Sequence, residues 1–210
     1  MKILVIGASQ GTGALCCKVA LAKGHSVTAF ARTPAKLELS HPQLTKLAGD
    51  FNDAASVNAA VKGHDAVIIC ASATSLKAFK EKPDYFSRGT KFTIDAMKQH
   101  AAKRLVILSA HGAGDSFSSA PWILRTFVIN GILKLAFADH NVQEKMTHES
   151  GLEWVIARPT RLTDGPAKGK FKPTTDFKVP MAISRADVAQ FLVDSCDSNE
   201  FVNKNVQLGG

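Results

Sequence analysis

Gly7-Ala8-Ser9-Gln10-Gly11-Thr12-Gly13 is the segment of this chain best suited to holding an anion. It follows the apolar run Lys2-Ile3-Leu4-Val5-Ile6, which reads as a strand. It precedes Ala14-Leu15-Cys16-Cys17-Lys18-Val19-Ala20, which reads as a helix. A strand, a glycine turn and a helix start in that order gather backbone N–H groups and a positive helix end at one point, which suits a pyrophosphate. Gly7 permits the sharp turn, Gly11 lets backbone approach the phosphates, and Gly13 lets the helix pack close to the strand. Ser9, Gln10 and Thr12 complete the set expected around the ligand. The spacing is G-x3-G-x-G rather than the common G-x-G-x-x-G fingerprint, so the structural context carries the reading.

Further candidates follow other strands. Phe30-Ala31-Arg32-Thr33-Pro34-Ala35-Lys36 lacks the Asp or Glu that an NAD site offers to the ribose 2′-OH. It presents Arg32, Thr33 and Lys36 instead, and arginine pairs bidentately with phosphate, so NADP(H) is expected over NAD(H). Ser9 can add a hydroxyl to the same phosphate. Gly49-Asp50-Phe51 suits adenine: Asp50 accepts from the exocyclic amine and Phe51 supplies backbone or ring contact. Cys70-Ala71-Ser72-Ala73 offers small residues against which a dinucleotide ribose can lie. In Leu108-Ser109-Ala110-His111-Gly112-Ala113-Gly114-Asp115, Ser109 can hydrogen-bond a substrate carbonyl or simply cap a strand end. His111 can donate a proton near neutral pH or be a plain loop histidine, and the glycines permit loop motion over a substrate.

The elements that must position these residues are legible in the hydropathy pattern. Strands are expected at about 2–6, 26–31, 44–48, 66–70, 104–109, 153–158 and 204–208. Helices are expected at about 12–23, 53–62, 85–100, 121–135, 137–149 and 185–195. Leu15, Val19 and Ala22 give the first helix its sheet-facing stripe. Thr90, Ile94 and Met97 do the same for the helix after the fourth strand, and Val188, Phe191, Leu192 and Ser195 for the last. Ser184 followed by Asp187 reads as a capping-box-like start to that last helix. Apolar strands alternating with helices imply an α/β domain with a mostly parallel sheet of about seven strands, doubly wound in the Rossmann manner, with helices on both faces. One domain over 1–210 is expected, with substrate-side elements at about 110–140 and 160–180. Ligand then belongs beyond the carboxyl ends of the strands.

Composition narrows the partners. The 26 basic and 18 acidic residues leave a net charge of +8, but the cations are scattered without an aromatic ladder, which favours an anionic cofactor over nucleic acid. The four cysteines lack metal-ligand spacing and read as reduced core residues; no metal is expected. No secretory signal precedes the glycine turn, so a cytoplasmic location is expected. The apolar stretch at 120–138 is interrupted by Arg125, Asn130 and Lys134 and reads as a buried or lid helix rather than a stable membrane association. The chain is expected as a monomer or homodimer acting on a small-molecule substrate.

These segments together resemble the short-chain dehydrogenase/reductase superfamily, more narrowly its atypical, NmrA-like branch that includes biliverdin IX-beta reductase/flavin reductase. The resemblance rests on the glycine turn, Ala31-Arg32, Gly49-Asp50, Gly63-His64-Asp65-Ala66-Val67-Ile68, Val106-Ile107-Leu108-Ser109-Ala110, and Glu149-Ser150-Gly151-Leu152-Glu153-Trp154 leading to Arg158-Pro159-Thr160. Two departures stand out. Flavin-reductase-like members usually carry G-x-x-G-x-x-G. Dyad-bearing members use Tyr-x-x-x-Lys, whereas the single tyrosine here, Tyr85, has no Lys four residues on and precedes Ser109. The corresponding helix holds His140 and Glu144 on one face, where Glu144 is expected to raise the His140 pKa; the pair also reads as a plain surface pair. The resemblance implies that Pro159 and Thr160 back the nicotinamide amide, and that Arg161 and a mobile 164–172 loop border the substrate. Trp122, Phe127 and Phe137 are either an apolar lid or packing.

The reading that follows is an NADPH-dependent oxidoreductase transferring hydride to a planar or conjugated small molecule: a flavin, quinone, tetrapyrrole or related carbonyl compound. Ser109 orients the acceptor, and His111, His140 or water is the proton donor. The alternatives are a non-catalytic NmrA-like NADP(H)-sensing regulator and a biosynthetic isomerase or cyclase on the same fold.

Overall fold

The computed structural model describes residues 1–72, 80–120 and 122–210. Ala73 and Pro121 therefore lie outside the described residues. Strand β1 (Lys2–Ile6) leads into α1 (Gly11–Ala22), then β2 (Ser26–Ala31), β3 (Leu44–Ala48), α2 (Ala54–Val61) and β4 (Ala66–Ile69). Helix α3 (Tyr85–Gln99) precedes β5 (Arg104–Leu108). A π-helical segment, Leu124–Ile132, runs into α4 (Lys134–His148). Next come β6 (Glu153–Pro159), β7 (Arg161–Thr163), β8 (Ala182–Ser184), α5 (Arg185–Asp197) and β9 (Lys204–Leu208).

Seven strands form one sheet in the order β3-β2-β1-β4-β5-β6-β9, and every neighbouring pair is parallel. Strand order reverses between β1 and β4, so the crevice of the doubly wound fold opens there. Alternate residues divide the two cores. Ile3 and Val5 join α1 and α5 on one face, while Leu4 and Ile6 join α2 and α3 on the other. Both faces are covered over the middle of the sheet, which is why β1 after Lys2 and β4 are apolar and buried throughout, while the edge strand β3 is largely exposed.

The expected strands and helices are all present, with two differences. The helix expected at 121–135 is not one regular helix over its described residues, 122–135. The Leu124–Ile132 stretch contains four β-branched residues and Gly131, and it adopts wider π turns before α4 begins. The short parallel pair β7–β8 has no forewarning in the hydropathy pattern, because three-residue strands are too brief to show alternation. At the start of α5, Ser184 Oγ accepts from Asp187 N at 3.0 Å, as the Ser-x-x-Asp spacing implies. No helix among the described residues is long and apolar enough to cross a membrane.

Candidate dinucleotide-binding site

The glycine turn is defined by what it excludes. Gly7 has φ +84°, and a Cβ there would stand 2.7 Å from backbone atoms of Ala71, at the end of β4. A Cβ on Gly13 would stand 2.3 Å from the Gly7 carbonyl oxygen. Helix α1 therefore begins in backbone contact with the turn. Gly7 N and Ala8 N donate to Phe30 O on β2, and Ala14 N donates to Gln10 O. The amides of Gly11, Thr12 and Gly13 thus have no i−4 partner within the helix, and the Gln10 side chain does not cap them. The chain presents the backbone cradle a diphosphate requires, and no acidic residue occupies the first turn.

A cleft of ≈ 330 Å³ runs from this turn across the ends of β1, β2, β3 and β4. It brings together Gly7, Ser9, Gln10, Arg32, Thr33, Lys36, Asp50, Phe51, Ala71 and Ser72. Gly11, Thr12 and Gly13 start α1 beside the cleft and do not line it. Arg32 and Lys36 are exposed, and neither has a carboxylate partner among the described residues. Asp50 Oδ1 accepts from Asn52 N at 2.9 Å, which fixes the loop and leaves the other carboxylate oxygen available. Gly49 leaves the room that the Phe30 ring fills, since a Cβ there would lie 2.3 Å from Phe30 Cε2.

Tyr85 is a cleft residue that sequence reasoning missed. Its ring meets Phe51 edge-on at 5.8 Å. Burial pushes its phenol up, while nearby Arg32 lowers it and Asp50 raises it, so this hydroxyl stays protonated between two charges of the cleft. Nothing in the local pattern of α3 marks Tyr85, because the cleft wall it completes belongs to other strands.

The second group of candidates lies at the ends of β5 and β6. Ser109 N donates to Ala157 O and His111 N to Pro159 O, which ties the two strand ends together. Ser109 Oγ donates to Glu144 Oε1 at 2.6 Å. The hydroxyl hydrogen is therefore engaged by Glu144, and donation to a substrate carbonyl, the expected role, would require it to turn away from that carboxylate. Glu144 is gripped by Arg158, Nε to Oε1 at 3.0 Å and Nη2 to Oε2 at 2.7 Å, and Arg158 also pairs with Asp115. Arg158 is 1% and Glu144 2% exposed. Burial alone would lower the arginine pKa, but Glu144 and then Asp115 hold it above its ordinary value.

The 111–115 loop is pinned by this pair rather than free to move. A Cβ on Gly114 would stand 2.6 Å from Arg158 Nη2, and Gly114 N donates to Asn141 Oδ1 at 2.7 Å. Glycine serves close approach here. His111 is buried, with Nδ1 2.8 Å from Gln207 Oε1. Sequence reasoning missed Arg158 as a site residue and Gln207 altogether. An arginine inside an otherwise apolar central strand was the available signal, because such a charge demands a buried carboxylate.

His140 makes no hydrogen bond to Glu144 among the described residues. Its ring stacks on Phe86 at 4.1 Å, and Nδ1 lies 2.9 Å from Gln143 Oε1. Burial lowers its pKa despite opposing contributions from Gln143, Glu144 and Asp139, so the expected upward shift from Glu144 is corrected. Thr160 Oγ1 donates to Pro180 O at 2.9 Å, and neither Pro159 nor Thr160 lines the cleft. The 164–172 loop is anchored midway: Asp187 accepts from Lys168 N at 3.0 Å and Gly169 N at 2.9 Å. Trp122 and Phe127 are 63% and 61% exposed, whereas Phe137 meets the His140 ring edge-on.

The parallel sheet and its switch-point cleft define a dinucleotide-binding protein of the Rossmann type. The chain belongs to the NAD(P)H-binding family, which it matches over residues 7–199. It is 27% identical to an uncharacterized sugar epimerase of Bacillus subtilis, YhfK, over 99% of this chain and 94% of that protein. An uncharacterized chloroplastic protein of Arabidopsis thaliana is also 27% identical, over 99% of this chain and 76% of that one. Among solved structures, the anaerobillin reductase ChuY of Escherichia coli O157:H7 superposes with a TM-score of 0.82 at 24% identity, covering 100% of this chain and 97% of that one. A short-chain dehydrogenase/reductase of Veillonella parvula in complex with NADP gives 0.82 at 16% identity, covering 100% and 94%. The family and these folds agree with the resemblance to atypical short-chain dehydrogenases/reductases.

Two outcomes follow. Glu144→Ala leaves the buried Arg158 charge with only the exposed Asp115 as carboxylate partner among the described residues and costs about 3–5 kcal/mol in denaturant unfolding; a loss below about 1 kcal/mol contradicts the buried pair. His140 takes up a proton more readily in the unfolded chain than here, so stability falls as pH drops below the ordinary imidazole range. His64, also held down chiefly by burial, adds a slope of the same sign. Melting temperature falls between about pH 7.5 and about pH 5.5, and His140→Gln flattens that slope; an unchanged slope contradicts the neutral, buried His140.

Proposed function

We propose that this protein is an NADPH-dependent reductase acting on a planar or carbonyl-conjugated small molecule. Arg32, Thr33 and Lys36 carry the cofactor part of this reading. Two cations without a carboxylate partner among the described residues and a hydroxyl stand at the end of β2, in the same cleft as the glycine turn, where an NAD site holds a carboxylate. Arg32 grips a 2′-phosphate through its planar fork, and Ser9 and Thr33 supply hydroxyls. Asp50 and Phe51 receive adenine, with Tyr85 closing the wall beside them.

When bound, the nicotinamide supplies a hydride to an electrophilic acceptor. The chain's own residues then position that acceptor beyond β5 and β6. Ser109, held by Glu144, presents lone pairs to an N–H or O–H group. His140 is neutral and buried, so no strong acid is built into this helix. A conjugated acceptor suits such a site because its π-system spreads the incoming charge, and the proton can come from His111 or water. The structural likeness to an anaerobillin reductase supports a tetrapyrrole within that class.

One observation favours a second reading, a cofactor-sensing regulator: His111, His140 and Ser109 are all committed to buried partners. Consumption of cofactor separates the two. In titrations NADPH binds at least about tenfold tighter than NADH, about 1.4 kcal/mol. Arg32→Ala removes most of that advantage and hardly alters NADH. Equal affinities in the unmodified protein overturn the NADPH assignment. Loss of NADPH absorbance that requires both protein and a flavin, quinone or biliverdin supports the reductase; tight binding without consumption by any of them supports the regulator.

A further inference from the structure

Arg185 stands where a cation is out of place unless an anion joins it. It is the first residue of α5, immediately after the cap Ser184, and Asp187 is the only acidic residue in that first turn. A helix N-terminus repels positive charge. Arg185 also reaches the start of a second helix: its Nε lies 4.0 Å from the position a Gly11 Cβ would take. Gly11, at φ +57°, belongs to the turn whose amides await a diphosphate. One guanidinium thus lies against two positive helix ends.

Its present partner is a weak one. Arg185 Nη1 donates to Asp164 Oδ1 at 2.7 Å, but the Asp164 side chain is 94% exposed. A pair this open to water contributes little and exchanges readily. A diphosphate seated on the Gly11 amide would offer a doubly charged acceptor suited to bidentate pairing with the guanidinium that lies beside it. Asp164 in turn begins the loop whose Lys168 and Gly169 amides are tied to Asp187.

We propose that Arg185 is an exchangeable arm of the diphosphate site, held by Asp164 until cofactor binds and then transferred to the diphosphate, which frees the start of the 164–169 loop. The inference rests on the dinucleotide reading of the cleft. It adds a residue that the glycine motif does not contain, and it links cofactor occupancy to a loop on the substrate side. By linkage, whatever draws Asp164 away from Arg185 also tightens the cofactor.

The test compares the affinities of Arg185→Ala, Arg185→Lys and Asp164→Asn for NADPH and for NADH by fluorescence titration, with melting temperatures measured in parallel. Arg185→Ala weakens both cofactors by about tenfold, because both contain the diphosphate. Arg185→Lys recovers part of the loss. Asp164→Asn acts in the opposite direction and tightens both by about threefold while leaving their ratio unchanged. A purely structural ion pair would make Arg185→Ala and Asp164→Asn shift affinity in the same direction. That result overturns the proposal, as does an unchanged affinity in Arg185→Ala. If Arg185→Ala fails to fold, the sign of the Asp164→Asn effect still decides. Failure of the unmodified protein to bind either cofactor removes the dinucleotide reading itself, whereas normal binding with insensitive variants removes only the role of Arg185.

Discussion

The contact of α1 with the turn that precedes it governs the geometry of this molecule. With a Gly13 Cβ only 2.3 Å from the Gly7 carbonyl oxygen, any side chain at position 13 would push the helix away from the sheet. The same turn is pressed from the other side, where Ala71 backbone lies within 2.7 Å of a Gly7 Cβ. These two approaches set the N-terminus of α1 over the β1–β4 boundary, where strand order reverses. The crevice, its free amides and the convergence of Arg32, Asp50 and Tyr85 on it all depend on that placement.

A second constraint holds the ends of β5 and β6. Burying Arg158 beneath Gly114 requires Glu144 on α4 to meet it in a dry environment, and a charge pair of this kind tolerates little displacement. The pair locks α4 to β6, fixes the 111–115 loop and takes the Ser109 hydrogen. Polar chemistry at the ends of β5 and β6 is therefore rigid and preorganised. The glycine-turn side is different, with exposed cations and an ion pair that water can replace. The ends of β5 and β6 are rigid and the glycine-turn side is adjustable, a division that follows from burial.

Much of this was legible in the linear chain. Seven strands, the glycine turn and the absence of a carboxylate after β2 are local patterns, since each is written within a few consecutive residues. Ten of the cofactor candidates converge on one cleft because parallel strands deliver all their carboxyl ends to the same edge. The misses are long-range. Glu144 shares a helix face with His140, and the helical spacing suggested that they pair, but Arg158 competes for the carboxylate with a bidentate geometry that an imidazole cannot match. Tyr85 reaches the cleft only because α3 packs beside β3's exit loop. Arg185 meets Gly11 across 174 positions (185 − 11), which no periodicity records.

Amide hydrogen exchange in the presence and absence of NADPH tests the central claim, that the turn between β1 and α1 anchors the dinucleotide across the switch point. Slowed exchange is expected at Gly7–Gly13, at Arg32–Lys36 and at Ala71–Ser72, with the Gly11–Gly13 amides protected most. Protection that spares the glycine turn, or that appears only around His111 and Gln207, would contradict it.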